Sequence, residues 1–127
     1  MLVEIDFESE NPIYQQIRNQ IVIGIASGEI KEGERLPTVR SLSDDLGVNM
    51  MTVSKAYQLL KQEGYIYGDR RQGALVRKSV KSEKKLQELS SDTLKSFKII
   101  ISEAKLHGVS FEELIDFCKS EYENGDE

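Results

Sequence analysis

The chain has a single cysteine and a single histidine, and these two scarcities exclude much. Cys118 cannot form an internal disulfide. It falls in an apolar helical pattern and is expected to be a small buried hydrophobe rather than a reactive thiol. His107, at an expected helix end, suits carbonyl capping better than catalysis. The sequence has no Cys/His cluster with metal-ligand spacing, no phosphate-cradling glycine loop and no nucleophile elbow. No metal, cofactor or enzymatic activity is therefore expected. The acidic pairs Asp44-Asp45 and Glu112-Glu113 read as solvated helix faces. No apolar run approaches the ~18–20 residues of a membrane-spanning helix, and the tightest is only Ile99-Ile100-Ile101. The first residues carry Glu4 and Asp6 where a secretory signal would carry bases. A cytoplasmic protein with no membrane partner is expected. Internal repeats and low-complexity tracts are also lacking.

What is present is an ordinary globular composition, 39% hydrophobic and 31% charged over 127 residues. That length permits one domain with an appendage. The net charge of −5 argues against nucleic acid until its distribution is examined. Residues 1–78 hold 10 Lys/Arg against 11 Asp/Glu, and residues 79–127 hold 7 against 11. Within 61–78, Lys61, Arg70, Arg71, Arg77 and Lys78 face only Glu63 and Asp69, a local net of +3. The first part is nearly neutral with a basic end; the second is acidic and poorly suited to phosphate.

Along the chain, Asn11-Pro12 reads as a helix start, with Asn11 as cap and Pro12 at the first helical position. Ile13, Ile17, Ile21 and Ile25 recur at helical spacing to Ser27-Gly28, giving a helix over about 12–26. Residues 28–37 are rich in turn formers. Thr38 can cap a second helix over about 39–46, which Gly47 stops. Asn49 caps a third, with Val53, Ala56, Tyr57 and Leu60 inward and Gly64 at its end. Two helices joined by so short a glycine-containing turn make a helix-turn-helix unit, although an ordinary helical hairpin has the same periodicity. Tyr65-Ile66-Tyr67 and Ala74-Leu75-Val76 then flank a polar basic turn, which reads as a β-hairpin. After the polar connector 77–85, Leu86, Leu89, Leu94, Phe97, Ile100, Ile101 and Ala104 keep a helical rhythm to Leu106. Ser110 and Glu113 form a capping box for a last helix bearing Phe111, Leu114, Ile115, Cys118 and Tyr122.

On the helix-turn-helix reading, the third helix would present short or polar side chains to a DNA groove while its other face is held in a core; on the other, that face is simply solvated. Its outward set near the N-terminus is Met50, Met51, Thr52, Ser54 and Lys55, next to Asn49. Arg40, just inside the second helix, can fork onto a phosphate or a guanine edge, or pair with Asp44 four residues on. Arg70, Arg71, Gln72 and Gly73 make the hairpin tip, which either clamps DNA or is a solvated turn.

These residues resemble the GntR family of bacterial transcription factors. The matching pieces are Pro12-Ile13-Tyr14 with Gln16-Ile17, Gly28-Glu29-Ile30, Gly33, Leu36-Pro37-Thr38-Val39-Arg40, Leu46-Gly47-Val48-Asn49, Thr52-Val53-Ser54-Lys55-Ala56-Tyr57, Leu59, Glu63-Gly64-Tyr65-Ile66, Gly73 and Val76. They cover about 12–76. The resemblance implies a winged helix-turn-helix that binds a double-stranded DNA operator as a dimer, with Arg40, residues 49–55 and the wing tip at the DNA. The family's wing usually carries two glycines and then an aromatic before valine; here Arg71 stands at the first glycine and Leu75 at the aromatic.

The short remainder of the chain resembles the YtrA-type branch, whose helical tail serves dimerisation. The expected fold class is mainly α with a small β-hairpin: a winged helix-turn-helix over 1–78 and a two-helix dimerisation extension over 79–127. Leu89, Leu94, Phe97, Ile100, Ile101, Ala104, Leu114 and Ile115 are the expected interface, since two helices cannot bury such a face alone. Packing of that face back onto the first helix is the other possibility. The expected function is a homodimeric repressor on a pseudo-palindromic operator. A small-molecule effector, if there is one, is expected at the dimer interface or between the two regions. The alternative is a winged-helix module for protein contacts that has lost DNA binding, which would not require the basic wing or Arg40.

Overall fold

The computed structural model describes residues 3–69, 71, 73–78 and 85–124. By compactness the chain divides into two units between Ser79 and Val80. The first contains helices α1 (Ile13–Ser27), α2 (Val39–Leu46) and α3 (Met50–Glu63), followed by strands β1 (Ile66–Asp69) and β2 (Gly73–Val76). The second contains a 3-10 turn (Leu86–Glu88), α4 (Ser91–Leu106) and α5 (Phe111–Asn124).

Helix α1 begins differently from the sequence expectation. Pro12 is itself the cap, and its carbonyl accepts from the Gln15 and Gln16 amides at 3.0 and 3.1 Å. Asn11 contributes its main chain: its carbonyl accepts from the Gln16 side-chain amide at 2.8 Å. Gln16 is buried, and also takes the Asp6 amide on Oε1 at 2.9 Å while donating to the Asp6 carbonyl at 3.0 Å. One turn on, Gln20 accepts the Glu4 amide at 2.8 Å and donates back to the Glu4 carbonyl. Two glutamines thus latch an extended N-terminal arm along α1 and sink Val3 into the core.

The helix-turn-helix follows from local chemistry. Thr38 Oγ1 accepts the Ser41 amide at 3.0 Å and starts α2. Gly47 ends it at φ 68, a left-handed conformation that a Cβ disfavours. The Asn49 side chain accepts the Met51 amide at 2.7 Å and starts α3. The inward residues Val53, Ala56, Tyr57 and Leu60 meet Ile17 and Ile21 of α1, Leu42 of α2, and Ile66 and Val76 of the hairpin in one buried cluster.

The hairpin pairs Ile66 with Val76 and Asp69 with Gly73, so its strands reach further toward the tip than the sequence indicated. Its second edge is also occupied. Residues 33–36, expected to be plain turns, run beside β2: the Gly33 amide donates to Val76, the Val76 amide to Glu34 and the Leu36 amide to Ala74, each at 2.9 Å. Arg35 bridges Leu75. An edge that would otherwise expose unpaired amides is covered.

In the second unit the expected continuous helix from Leu86 is broken. Leu89 closes the 3-10 turn, and Ser90 caps α4 by accepting the Thr93 amide at 3.1 Å. A hydroxyl competing for backbone donors has overridden the apolar spacing of Leu86 and Leu89. The His107 amide donates to the Glu103 carbonyl at 3.0 Å at the end of α4. Ser110 accepts the Glu113 amide at 3.1 Å and starts α5. Helix α4 contains no buried residue. Leu94, Ala104, Leu114 and Ile115 are half-buried, whereas Leu89, Phe97, Ile100 and Ile101 are exposed. Cys118 is exposed, contrary to the expectation of a buried thiol: one copy of this unit has no apolar layer over that side of α5.

Candidate nucleic-acid interface

Burial of its inward stripe fixes which side of α3 faces solvent. The Tyr57 hydroxyl donates to the Pro37 carbonyl at 2.6 Å, tying the helix to the corner that precedes α2. Burial raises the Tyr57 pKa well above its ordinary value, so the hydroxyl keeps its proton and remains a donor. At the C-terminal end of α3, Arg18 of α1 grips Glu63 through two hydrogen bonds of 2.9 and 2.6 Å. The side-chain hydrogen bond to Glu63 raises the guanidinium pKa, against desolvation that lowers it. Helix α3 is therefore tied at its middle, through Tyr57, and at its C-terminal end, through Glu63.

Its outer side carries the residues the sequence singled out. Met50 and Met51 are exposed, Met51 at 79%. Thr52 and Ser54 are partly exposed and Lys55 is exposed. The Asn49 side-chain oxygen accepts the Met51 amide and caps the helix start. Arg40 is exposed in the first turn of α2, and no ion pair joins it to Asp44. Its guanidinium is thus exposed and is not held by Asp44. At the wing, Gly73 adopts φ 80, a conformation suited to glycine, and Arg71 is exposed. Arg70 and Gln72 lie outside the described residues.

Two residues here were not singled out. Tyr14 of α1 and Gln58 of α3 line an open hollow with Met51, Thr52, Ser54 and Lys55. The Lys55 ammonium stands over the Tyr14 ring, 4.1 Å from its centre. Gln58 was findable, because it follows Ser54 and Lys55 by four and three residues and so shares their face. Tyr14 gave no such signal, since its approach to Lys55 depends on how α1 and α3 pack. Among the described residues, no group of three or more His, Cys, Asp or Glu could hold a metal ion, and no helix is long and apolar enough to cross a membrane.

Comparison with known proteins places this geometry. Residues 13–76, from the start of α1 to the end of β2, match the gntR family of bacterial regulatory proteins. The chain is similar to the HTH-type transcriptional repressor YtrA of Bacillus subtilis, 35% identical over 119 residues, covering 93% of this chain and 90% of that one. Its fold is similar to the crystal structure of a transcriptional antiterminator from Listeria monocytogenes EGD-e, with a TM-score of 0.81 and 28% identity over 94% of this chain and 89% of that one. It is also similar to AraR(DBD) in complex with operator ORX1, with a TM-score of 0.54 and 27% identity over 60% of this chain and 98% of that one. A winged helix-turn-helix whose family pattern spans its helices and wing, with a relative of nearly the same extent, identifies the chain as a member of the gntR family of bacterial regulatory proteins, a regulator and not an enzyme.

Proposed function

We propose that this protein is a sequence-specific repressor that binds a pseudo-palindromic operator as a homodimer in the cytoplasm. The observation that carries the reading is the accessibility of Arg40 together with the outward face of α3, on a module whose apolar stripe is fully sunk in its core. The likeness to AraR(DBD) bound to an operator supports DNA as the ligand, and the likeness to the YtrA repressor supports the direction of regulation. On this reading Arg40, Thr52, Ser54 and Lys55 carry polar contacts, while Met50 and Met51 pack on thymine methyl groups. Asn49 positions the helix start at the backbone, and the wing tip, with Arg70, Arg71, Gln72 and Gly73, lies along an adjacent groove.

Dimerisation follows from the second unit. Phe97, Ile100 and Ile101 of α4 are exposed and Leu94, Ala104, Leu114 and Ile115 only half-buried within one copy of that unit, and a second copy supplies the missing cover. Two recognition helices then enter major grooves one helical turn, or a multiple, apart.

Fluorescence anisotropy with DNA from upstream of the protein's own gene, titrated across salt, tests the reading. Saturable, sequence-preferring binding that weakens steeply as salt rises is expected. Lack of sequence preference overturns it. The same titration repeated with small metabolites reads whether an effector releases the DNA.

A further inference from the structure

We propose that the cleft between the wing and the start of α2 is a phosphate seat, in which Arg35 and Lys61 hold an oxyanion of the DNA backbone. The inference deepens the operator-binding reading and rests on it. The cleft is lined by Arg35, Lys61 and Arg71, with Thr38, Gly68 and Gly73 beside them. Among the residues whose side chains are described, no carboxylate lines it, in a chain where acids outnumber bases by 22 to 17. Arg35 and Lys61 are exposed, and their side chains have no hydrogen-bond or ion-pair partner among the described residues.

Their placement is built into the fold. The Arg35 backbone is bridged to Leu75, and the neighbouring Leu36 amide donates to Ala74 at 2.9 Å. That guanidinium therefore projects from a strand-like segment fixed to the wing and not from a loose loop. Lys61 lies one turn beyond Tyr57, whose hydroxyl fastens α3 to Pro37 on the same cleft. Its ammonium lies against Gly68 of β1, where an added Cβ would come within 3.3 Å of Nζ. Gly68 is not in the left-handed region, so its backbone conformation does not demand glycine. What the missing side chain provides is room for the ammonium in the cleft. A planar guanidinium and a point ammonium facing a common opening suit a tetrahedral oxyanion. The cleft adjoins Thr38 and Val39, the two residues before Arg40. A backbone passing from Arg40 to the wing meets it.

The shared chemistry is a phosphoryl oxyanion, whose source is either DNA or a free phosphate compound. Anisotropy titrations across salt should compare the wild-type chain with Arg35→Gln, Lys61→Gln and the double variant. Each phosphate contact contributes about 0.9 to the slope of log affinity against log salt. The double variant is expected to lose about one such unit per protomer, about two for the bound dimer, equally on operator and unrelated DNA. The charge-retaining pair Arg35→Lys and Lys61→Arg is expected to keep the slope, and matching melting temperatures confirm that all variants are folded. An unchanged slope in the double variant overturns the seat while leaving operator binding standing. Absence of DNA binding by the wild type removes both. In a second arm, inorganic phosphate is titrated without DNA and followed by NMR. Saturable shifts at Arg35 and Lys61 combined with an unchanged DNA slope would assign the cleft to a free anion and overturn the backbone assignment.

Discussion

The ammonium of Lys55 lies 4.1 Å from the centre of the Tyr14 ring, so a side chain of the third helix is held by an aromatic of the first. A lysine has many rotamers, and an unrestrained one loses that freedom on meeting a phosphate or base. The ring face attracts the cation and restricts it before any ligand arrives. A cation–π contact at an exposed site is worth about 0.5–1 kcal/mol. Tyr14→Leu is therefore expected to weaken operator binding about two- to five-fold, as read by anisotropy, while Tyr14→Phe, which keeps the ring, is expected to remain near wild type. Equal losses in the two variants would assign the effect to the hydroxyl instead.

Arg40 offers a sharper test of the interface. It is exposed and unpaired with Asp44, so its removal leaves no buried group without a partner. Arg40→Ala is expected to weaken operator binding by ~1–3 kcal/mol with an unchanged melting temperature. Undiminished affinity would take Arg40 out of the site.

How legible this protein is in its sequence depends on the range of the interaction. The limits of α2 are readable because Thr38 and Gly47 act within one turn of themselves, and the start of α3 because Asn49 does. The break at Ser90 was equally local, yet the regular spacing of Leu86 and Leu89 masked it. The latch of Gln16 and Gln20 onto residues 4–6, the pairing of residues 33–36 with β2, and the approach of Tyr14 to Lys55 have no local signature. Each joins segments that only the packed core brings together. Arg35 and Lys61 were invisible as a pair for the same reason: they are 26 positions apart and line one cleft only once the wing packs beside α2 and α3.

Tyr57 links stability to pH. Its hydroxyl donates to the Pro37 carbonyl at 2.6 Å, and burial raises its pKa above the ordinary 10.0. Tyr57→Phe leaves that carbonyl without its donor and is expected to cost ~1–3 kcal/mol, measured by urea unfolding. In the wild type, the unfolded chain loses the Tyr57 proton near pH 10 while the folded chain retains it. The folded state then binds more protons, so stability falls as pH rises beyond that point. Below it, the contribution is fully present. The phenylalanine variant is expected to show a shallower alkaline decline. Parallel declines would mean that other groups control the alkaline limit.

The assembly prediction concerns α4 and α5. Phe97 is 45% and Ile101 42% exposed in one copy, and with Leu94 and Ala104 they recur at spacings of three and four along one face of α4. An uncovered apolar stripe of this kind marks an association surface, and ~800 Å² per partner is ordinary for a stable pair. The acidic residues of the tail do not oppose this, because charge at the rim of an interface remains solvated while its centre is apolar. Replacing Phe97 and Ile101 together by glutamate places two unpaired charges at that centre. Sedimentation velocity is expected to show a monomer where the parent is a dimer, with the first unit still folded by NMR. Operator binding should then weaken far more than on removal of any one DNA-facing side chain, because two half-sites are no longer engaged as one. A dimer that persists would move the interface away from this face, and a parent that sediments as a monomer would end the homodimer reading.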